Sequence, residues 1–287
     1  VLEPDKQKRL KKPNKQWDGP LFRGTVPLKS LKGLSPWTVP FARAVFVIGI
    51  LSGCLLAQAT FKDQQNLYPR VRQARVNRQP AIDSFFNEAG ISYPPRRILI
   101  VAFKHEQSLQ LWAKPDRQES FQLIKAYPFT AFSGALGPKR RQGDLQVPEG
   151  FYEITYFYPE SPFHLALLVS YPNASDRILG YQPSLGGDIC IHGNAVTIGC
   201  IPIGDAAIEE LYIMCVDQKS AGRGIPVYIF PCAMDSSGMA DLKALAASDI
   251  GLYAFWENLK AGYNLFTNSF RELKYRVDEK GRYVFTP

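Results

Sequence analysis

The stretch Gly187-Asp188-Ile189-Cys190-Ile191-His192-Gly193-Asn194-Ala195-Val196-Thr197-Ile198-Gly199-Cys200-Ile201-Pro202 holds one of the three histidines and two of the five cysteines of a 287-residue chain. Ile189 to Ile191 reads as a short apolar strand leading into His192. Cys200 follows eight positions later, a chain long enough to reverse and bring the two side chains together. Cysteine attacks as the thiolate, and a nearby imidazole favours that form. Gly199 permits a tight turn whose exposed N–H groups can hold a developing oxyanion. By spacing alone a second reading stands beside this one: a buried Cys on an apolar turn and a surface His. Asp188 can orient the imidazole or serve the turn beside Gly186-Gly187, and a backbone carbonyl can do the orienting instead. Cys190 lies two residues before His192, on the same strand face; it can sit near Cys200, and a buried thiol is the expected role.

Upstream, Ile98 to Phe103 (ILIVAF) reads as a buried strand. Leu109 to Trp112 and Phe121 to Ile124 follow as hairpin partners. Gly134 to Gly150 is a long Gly-rich loop. Phe151 to Tyr158 and Leu165 to Ser170 are strands. Downstream, Ala206 to Val216 has helical spacing, with Ile208, Leu211, Tyr212 and Cys215 on one face. Pro226 to Phe230 is a core strand, Asp241 to Ala247 and Leu252 to Leu259 are helices, and Tyr275 to Val284 is a hairpin turning at Glu279-Lys280-Gly281. The segment 60–95 reads as a polar linker with a short helix at Ala81 to Ala89. The expected fold is mainly β with flanking helices (α+β), and the expected domain covers 96–287.

Hydrophobic residues make up 46%, which excludes a disordered chain. The formal net charge is +8, but residues 1–59 carry ten Lys and Arg against three Asp and Glu. The remainder is close to neutral, so no nucleic-acid footprint falls on the folded part. No CxxC pair occurs and the Cys/His spacings fit no zinc pattern, so no metal is expected. Cys215 and Cys232 are candidates for a disulfide in an oxidising compartment. His105 and His164 have no motif around them and are expected at the surface.

Arg43 precedes the uncharged run Ala44 to Leu56, too short to span a bilayer comfortably, and Ala57-Gln58-Ala59 follows. Residues 1–59 therefore read as a basic leader plus a signal segment, cleaved at Ala59. Leu51-Ser52-Gly53-Cys54 also fits a lipobox, in which Cys54 would carry acyl chains. Either way export is expected, with membrane contact only through the signal segment or a lipid anchor. No Met precedes Met214, and a start at Val26 would leave Lys29, Lys32 and Arg43 ahead of the apolar run.

His192-Gly193 and Thr197-Ile198-Gly199-Cys200 resemble the His-Gly and Ser/Thr-x-Gly-Cys motifs of the L,D-transpeptidase (YkuD-type) catalytic domain. The short His-to-Cys spacing, the loop Gly134 to Asp144, Pro148 to Tyr152, and Phe255-Trp256 through Phe266 are similar to the YafK-like branch of that family. The resemblance runs from about Arg97 to the end. It implies a β-rich catalytic domain in the cell envelope, with Cys200 as nucleophile, His192 as base, Gly199 at the oxyanion site, and no cofactor. It implies peptidoglycan stem peptides as substrates, with Lys139, Arg140, Arg141, Gly193 and Thr197 as binding residues. Arg is suited to gripping stem-peptide carboxylates; a solvated charge run is the other reading of these bases. Asp144 and Glu149 either orient the loop or lie at the surface.

Two positions depart from the family. Ile198 stands where a His usually precedes Gly-Cys, and Pro202 where an Arg usually follows. In transpeptidases those residues line the active site. Their replacement makes water a rival to an amine as acceptor. The branch includes an enzyme that cuts a peptidoglycan–lipoprotein link, so an envelope lipoprotein is a further expected partner and a hydrolase or amidase the alternative activity. A non-catalytic peptidoglycan-binding protein is the competing class.

Overall fold

The computed structural model describes residues 59–286. The leader and signal segment, with Cys54 and the proposed start at Val26, lie outside the described residues save for Ala59. The helices are α1 (Phe61–Gln65), α2 (Pro69–Glu88), α3 (Ala174–Leu179), α4 (Asp205–Ser220), α5 (Ser236–Leu245) and α6 (Ile250–Ser269). The strands are β1 (Arg97–Phe103), β2 (Ser108–Lys114), β3 (Gln122–Pro128), β4 (Gly150–Ser161), β5 (His164–Val169), β6 (Cys190–His192), β7 (Ile201–Pro202), β8 (Pro226–Phe230), β9 (Lys274–Val277) and β10 (Tyr283–Thr286).

Eight strands form one mixed sheet in the order β3-β2-β1-β8-β4-β5-β6-β7, and β9 with β10 form a separate hairpin. The β1–β8 and β6–β7 pairs are parallel; the other pairs in the sheet are antiparallel. From Ile98 to Phe103 strand β1 is apolar without interruption because it is covered on both faces. Ile98, Ile100 and Ala102 enter one core cluster together with residues of α2 and α4, while Leu99 and Val101 enter a second with residues of α5 and α6. The mixed sheet is thus covered by helices on both faces.

Several expectations change. The short helix at Ala81 to Ala89 is the end of the 20-residue α2, which runs through Pro80 and buries Val71, Ala74, Ile82 and Phe86. The segment 60–95 is therefore packed onto the body and is no loose linker. Helix α4 is buried on every side from Ile208 to Gln218, not on one face. Its acids are neutralised by partners: Glu209 pairs with Arg78, Glu210 with Lys125, and Asp217 with Arg75 and Lys62. His164 joins this network through Glu209 and is not a free surface residue. Cys215 and Cys232 are free and belong to different core clusters, so they form no disulfide. Among the described residues no helix is long and apolar enough to cross a membrane, and no group of His, Cys, Asp and Glu could hold a metal ion.

Candidate active site

Strand β6 ends at His192, and the chain returns through a loop to Cys200 and β7, which pairs in parallel with β6. Thr197 shapes the return: its Oγ1 accepts the Gly199 N–H at 3.1 Å and donates to the Cys200 carbonyl at 2.8 Å. Gly199 has φ +131°, and a Cβ there would meet the Gln146 carbonyl at 3.0 Å. Only glycine suits that conformation at so close an approach. The loop after His192 is clamped by Asp205, which accepts the Asn194 N–H at 2.8 Å, and by Thr130, whose hydroxyl donates to the Asn194 carbonyl at 2.6 Å.

The imidazole is oriented by main chain, not by Asp188. His192 Nδ1 lies 2.6 Å from the Gly193 carbonyl oxygen. A carbonyl can only accept, so Nδ1 carries the proton and Nε2 presents its lone pair. Phe163 covers the ring with centroids 4.7 Å apart. Gly193 has no room for a side chain, since a Cβ would meet Asp205 Oδ1 at 2.5 Å.

Cys200 Sγ accepts the Cys190 N–H at 3.3 Å and lies 3.6 Å from the Asp188 carbonyl. The thiol is lowered to about 5, first by the Cys190 thiol beside it and then by His192 and the Cys190 N–H, against the opposing effect of burial. Cys190 is itself pushed up, first by its hydrogen bond to Cys200 and then by burial and the charge on Cys200. Burial likewise raises Cys215, and raises Cys232 to about 12. Alkylation by a neutral reagent should therefore single out Cys200 among these cysteines at pH 6–7. Its rate should fall only as the pH drops through about 5, where the thiolate takes up its proton. A rate that rises tenfold per pH unit from 6 to 8 would show an ordinary thiol.

The pair opens into a cleft of about 560 Å³ lined by Lys139, Leu145, Phe163, Asp188, Val196 and Ile198, among others. Ile198 is 79% exposed at its mouth. The loop 134–150 forms one wall. It is folded about Asp144, which accepts from Lys139 Nζ at 2.6 Å and from the backbone N–H of Arg140, Arg141 and Gln146. Below it, fully buried Lys104 donates to Glu149 at 2.8 Å and to the carbonyls of Gly137 and Val147, while Trp256 Nε1 donates to the other Glu149 oxygen at 2.8 Å. Asp144 and Glu149 thus orient the loop.

Of the expected site residues, the fold brings Cys200, His192, Gly193, Thr197, Gly199 and Lys139 together. Arg140 turns away: its guanidinium lies 4.6 Å from the Phe255 ring centroid and faces Asp176, lining a neighbouring cleft. Arg141 is exposed outside the lining. The Gly199 N–H is engaged by Thr197, which leaves the Cys200 N–H as the amide available for an oxyanion. Asp205, Phe163 and Lys104 were missed, since nothing local marks them as neighbours of the site.

A family model described as L,D-transpeptidase catalytic domain (YkuD) matches residues 97–229. The chain is 35% identical over 190 residues to the Escherichia coli (strain K12) protein named "Putative L,D-transpeptidase YafK", covering 65% of this chain and 73% of that protein. Among solved structures it is similar to the helical cell shape determining protein Pgp2 from Campylobacter jejuni, with 20% identity over 68% of this chain and 80% of that one and a TM-score of 0.39. It is also similar to Bd1075 of Bdellovibrio bacteriovorus, with 22% identity over 66% of this chain and 78% of that one and a TM-score of 0.34.

Proposed function

Because the chain belongs to the L,D-transpeptidase (YkuD) catalytic domain family, we propose that it is a cysteine acyltransferase acting on peptidoglycan stem peptides, with Cys200 as nucleophile and His192 as its base. The observation that carries this is one cleft lined by both Cys200 and His192, with the sulfur accepting the Cys190 N–H and the imidazole Nδ1 tied to a carbonyl. His192 Nε2 takes the Cys200 proton, the thiolate adds to a stem-peptide carbonyl, and the Cys200 N–H faces the oxygen that becomes negative. Collapse expels the amine, which takes its proton from His192 Nε2. The neutral imidazole then accepts a proton from the incoming acceptor, amine or water, and the acyl group leaves the sulfur. Of the three bases expected to grip a carboxylate, geometry supports only Lys139, and there through a side chain already paired with Asp144.

Hydrolysis is the second reading, and Ile198 favours it. An exposed aliphatic side chain stands at the cleft mouth where the family's pattern has a histidine, so this position offers no polar group to an acceptor amine. Digestion of purified sacculi followed by muropeptide mapping tests both readings. New cross-links are what transfer to an amine predicts and shortened or released stems are what hydrolysis predicts, and Ile198→His should shift the balance toward cross-links. Unchanged muropeptides with the native chain would remove the enzyme reading.

The envelope location belongs to the same proposal. Thr60 caps α1 through Asp63, so cleavage after Ala59 leaves the first helix intact. The mass of the protein in envelope fractions separates a chain starting at Thr60 from one lipidated at Cys54. The lipoprotein partner is proposed on the branch resemblance alone.

A further inference from the structure

Cys190 has its own thiol beside the nucleophile, and the acyl-transfer chemistry leaves that thiol without a covalent role. Strands β6 and β7 are parallel neighbours with Ile191 opposite Ile201 and His192 opposite Pro202. One step back along that register sets Cys190 against Cys200. Neighbouring strands lie about 4.7–4.9 Å apart, within the roughly 4.4–6.8 Å between Cα atoms that a disulfide bridges. The two residues already touch, since the Cys190 N–H reaches Cys200 Sγ at 3.3 Å. Both are free and partly exposed, and Cys200 opens to the cleft.

We propose that Cys190 is the resolving partner of Cys200, so that a small-molecule disulfide entering the cleft converts the pair into a Cys190–Cys200 disulfide and removes the nucleophile. The loss of catalysis rests on the assignment of Cys200 above; formation of the bond does not. In the first step the Cys200 thiolate attacks one sulfur of the oxidant, forms a mixed disulfide and expels the other half as a thiolate. In the second, Cys190 loses its proton, attacks Cys200 Sγ and expels the second half as a thiolate, which takes up that proton. Two protein thiols are oxidised, and one disulfide is reduced to two thiols. The environment sets the order. While Cys200 is ionised, its charge keeps Cys190 protonated and inert. Capping Cys200 removes that charge and lets Cys190 ionise.

The full chain is incubated with oxidised glutathione, quenched in acid, alkylated, and mapped by mass spectrometry. The expected product has lost two hydrogens, carries a cross-linked pair of peptides containing Cys190 and Cys200, and returns to two alkylatable thiols with dithiothreitol. Cys190→Ser should stop at a glutathionyl adduct on Cys200, which also reports that the variant is folded enough to present that thiol. A native chain that stops at the same adduct with Cys190 still alkylatable overturns the proposal, as does a chain whose Cys200 stays unmodified. Neither readout uses peptidoglycan. A chain that forms the disulfide but never processes stem peptides therefore refutes the enzyme reading alone.

Discussion

Cys200→Ala is expected to lower stem-peptide processing by roughly 10⁴-fold or more, the scale seen when a covalent nucleophile is deleted, and to leave the fold intact. The residue is only partly buried, and the chain around it is held by others: Thr197 secures the turn and Asp205 the preceding loop. What disappears is the atom that forms the acyl bond and accepts the Cys190 N–H. His192→Ala should cost about 10²–10⁴-fold, the usual range for a general base. It should also raise the pH at which Cys200 alkylates, since the imidazole is one of the groups holding that thiol down. Muropeptide release counted per enzyme checks the first figure, and the alkylation profile checks the second. Parental turnover by Cys200→Ala would end the nucleophile assignment. Binding to sacculi should be unchanged in both variants, and a chain that binds but never turns over would be the anchoring protein kept as the competing class.

The parts of this arrangement that could be read from the chain are those whose signal is local. Ile98 to Phe103 is apolar at every position because both faces of β1 are covered. The His192–Cys200 spacing carried the pair because the chain after β6 loops back to begin β7 beside it, parallel and in contact. Long-range pairing was invisible. Lys104 sits between Phe103 and His105 at the end of a strand, where a lysine ordinarily reads as a solvated turn residue, and its carboxylate lies 45 residues further on. Helix α2 was cut short because Pro80 reads as a breaker and because Arg75 and Arg78 interrupt the apolar stripe. Those two guanidiniums face α4 and reach Asp217 and Glu209 there. The same pairs explain why α4 can be buried all round while carrying acids.

Arg140 shows the converse failure. Three adjacent bases in a Gly-rich loop suggested a carboxylate grip, yet the loop spends its polar groups on itself. Asp144 collects Lys139 and three backbone N–H groups, and Arg140 is drawn to Phe255 and Asp176 on the far side. Composition indicated where the loop lay but not which way each side chain turned.

The same loop carries the second large effect. Lys104→Met is expected to destabilise the fold by about 3–5 kcal/mol, the usual cost of stranding one member of a buried ion pair. Neither Lys104 nor Glu149 has any exposed surface. Burial lowers the affinity of Lys104 for its proton, and Glu149 restores part of it. With the cation gone, the carboxylate keeps the Gly137 and Trp256 N–H donors but loses its counter-charge. The carbonyls of Gly137 and Val147 also lose the ammonium that ties the two legs of the loop together. Urea unfolding of Lys104→Met, Glu149→Gln and the double variant measures the coupling directly. The double variant should recover much of the loss, because it leaves no unpaired charge inside. Limited proteolysis should cut Lys104→Met between Gly134 and Gly150 sooner than the parent, since that wall of the cleft has then lost the ammonium that ties Gly137 to Val147. A Lys104→Met midpoint equal to the parent's would mean that the pair contributes nothing net, and that the loop stands on the Asp144 hydrogen bonds and the Trp256 contact.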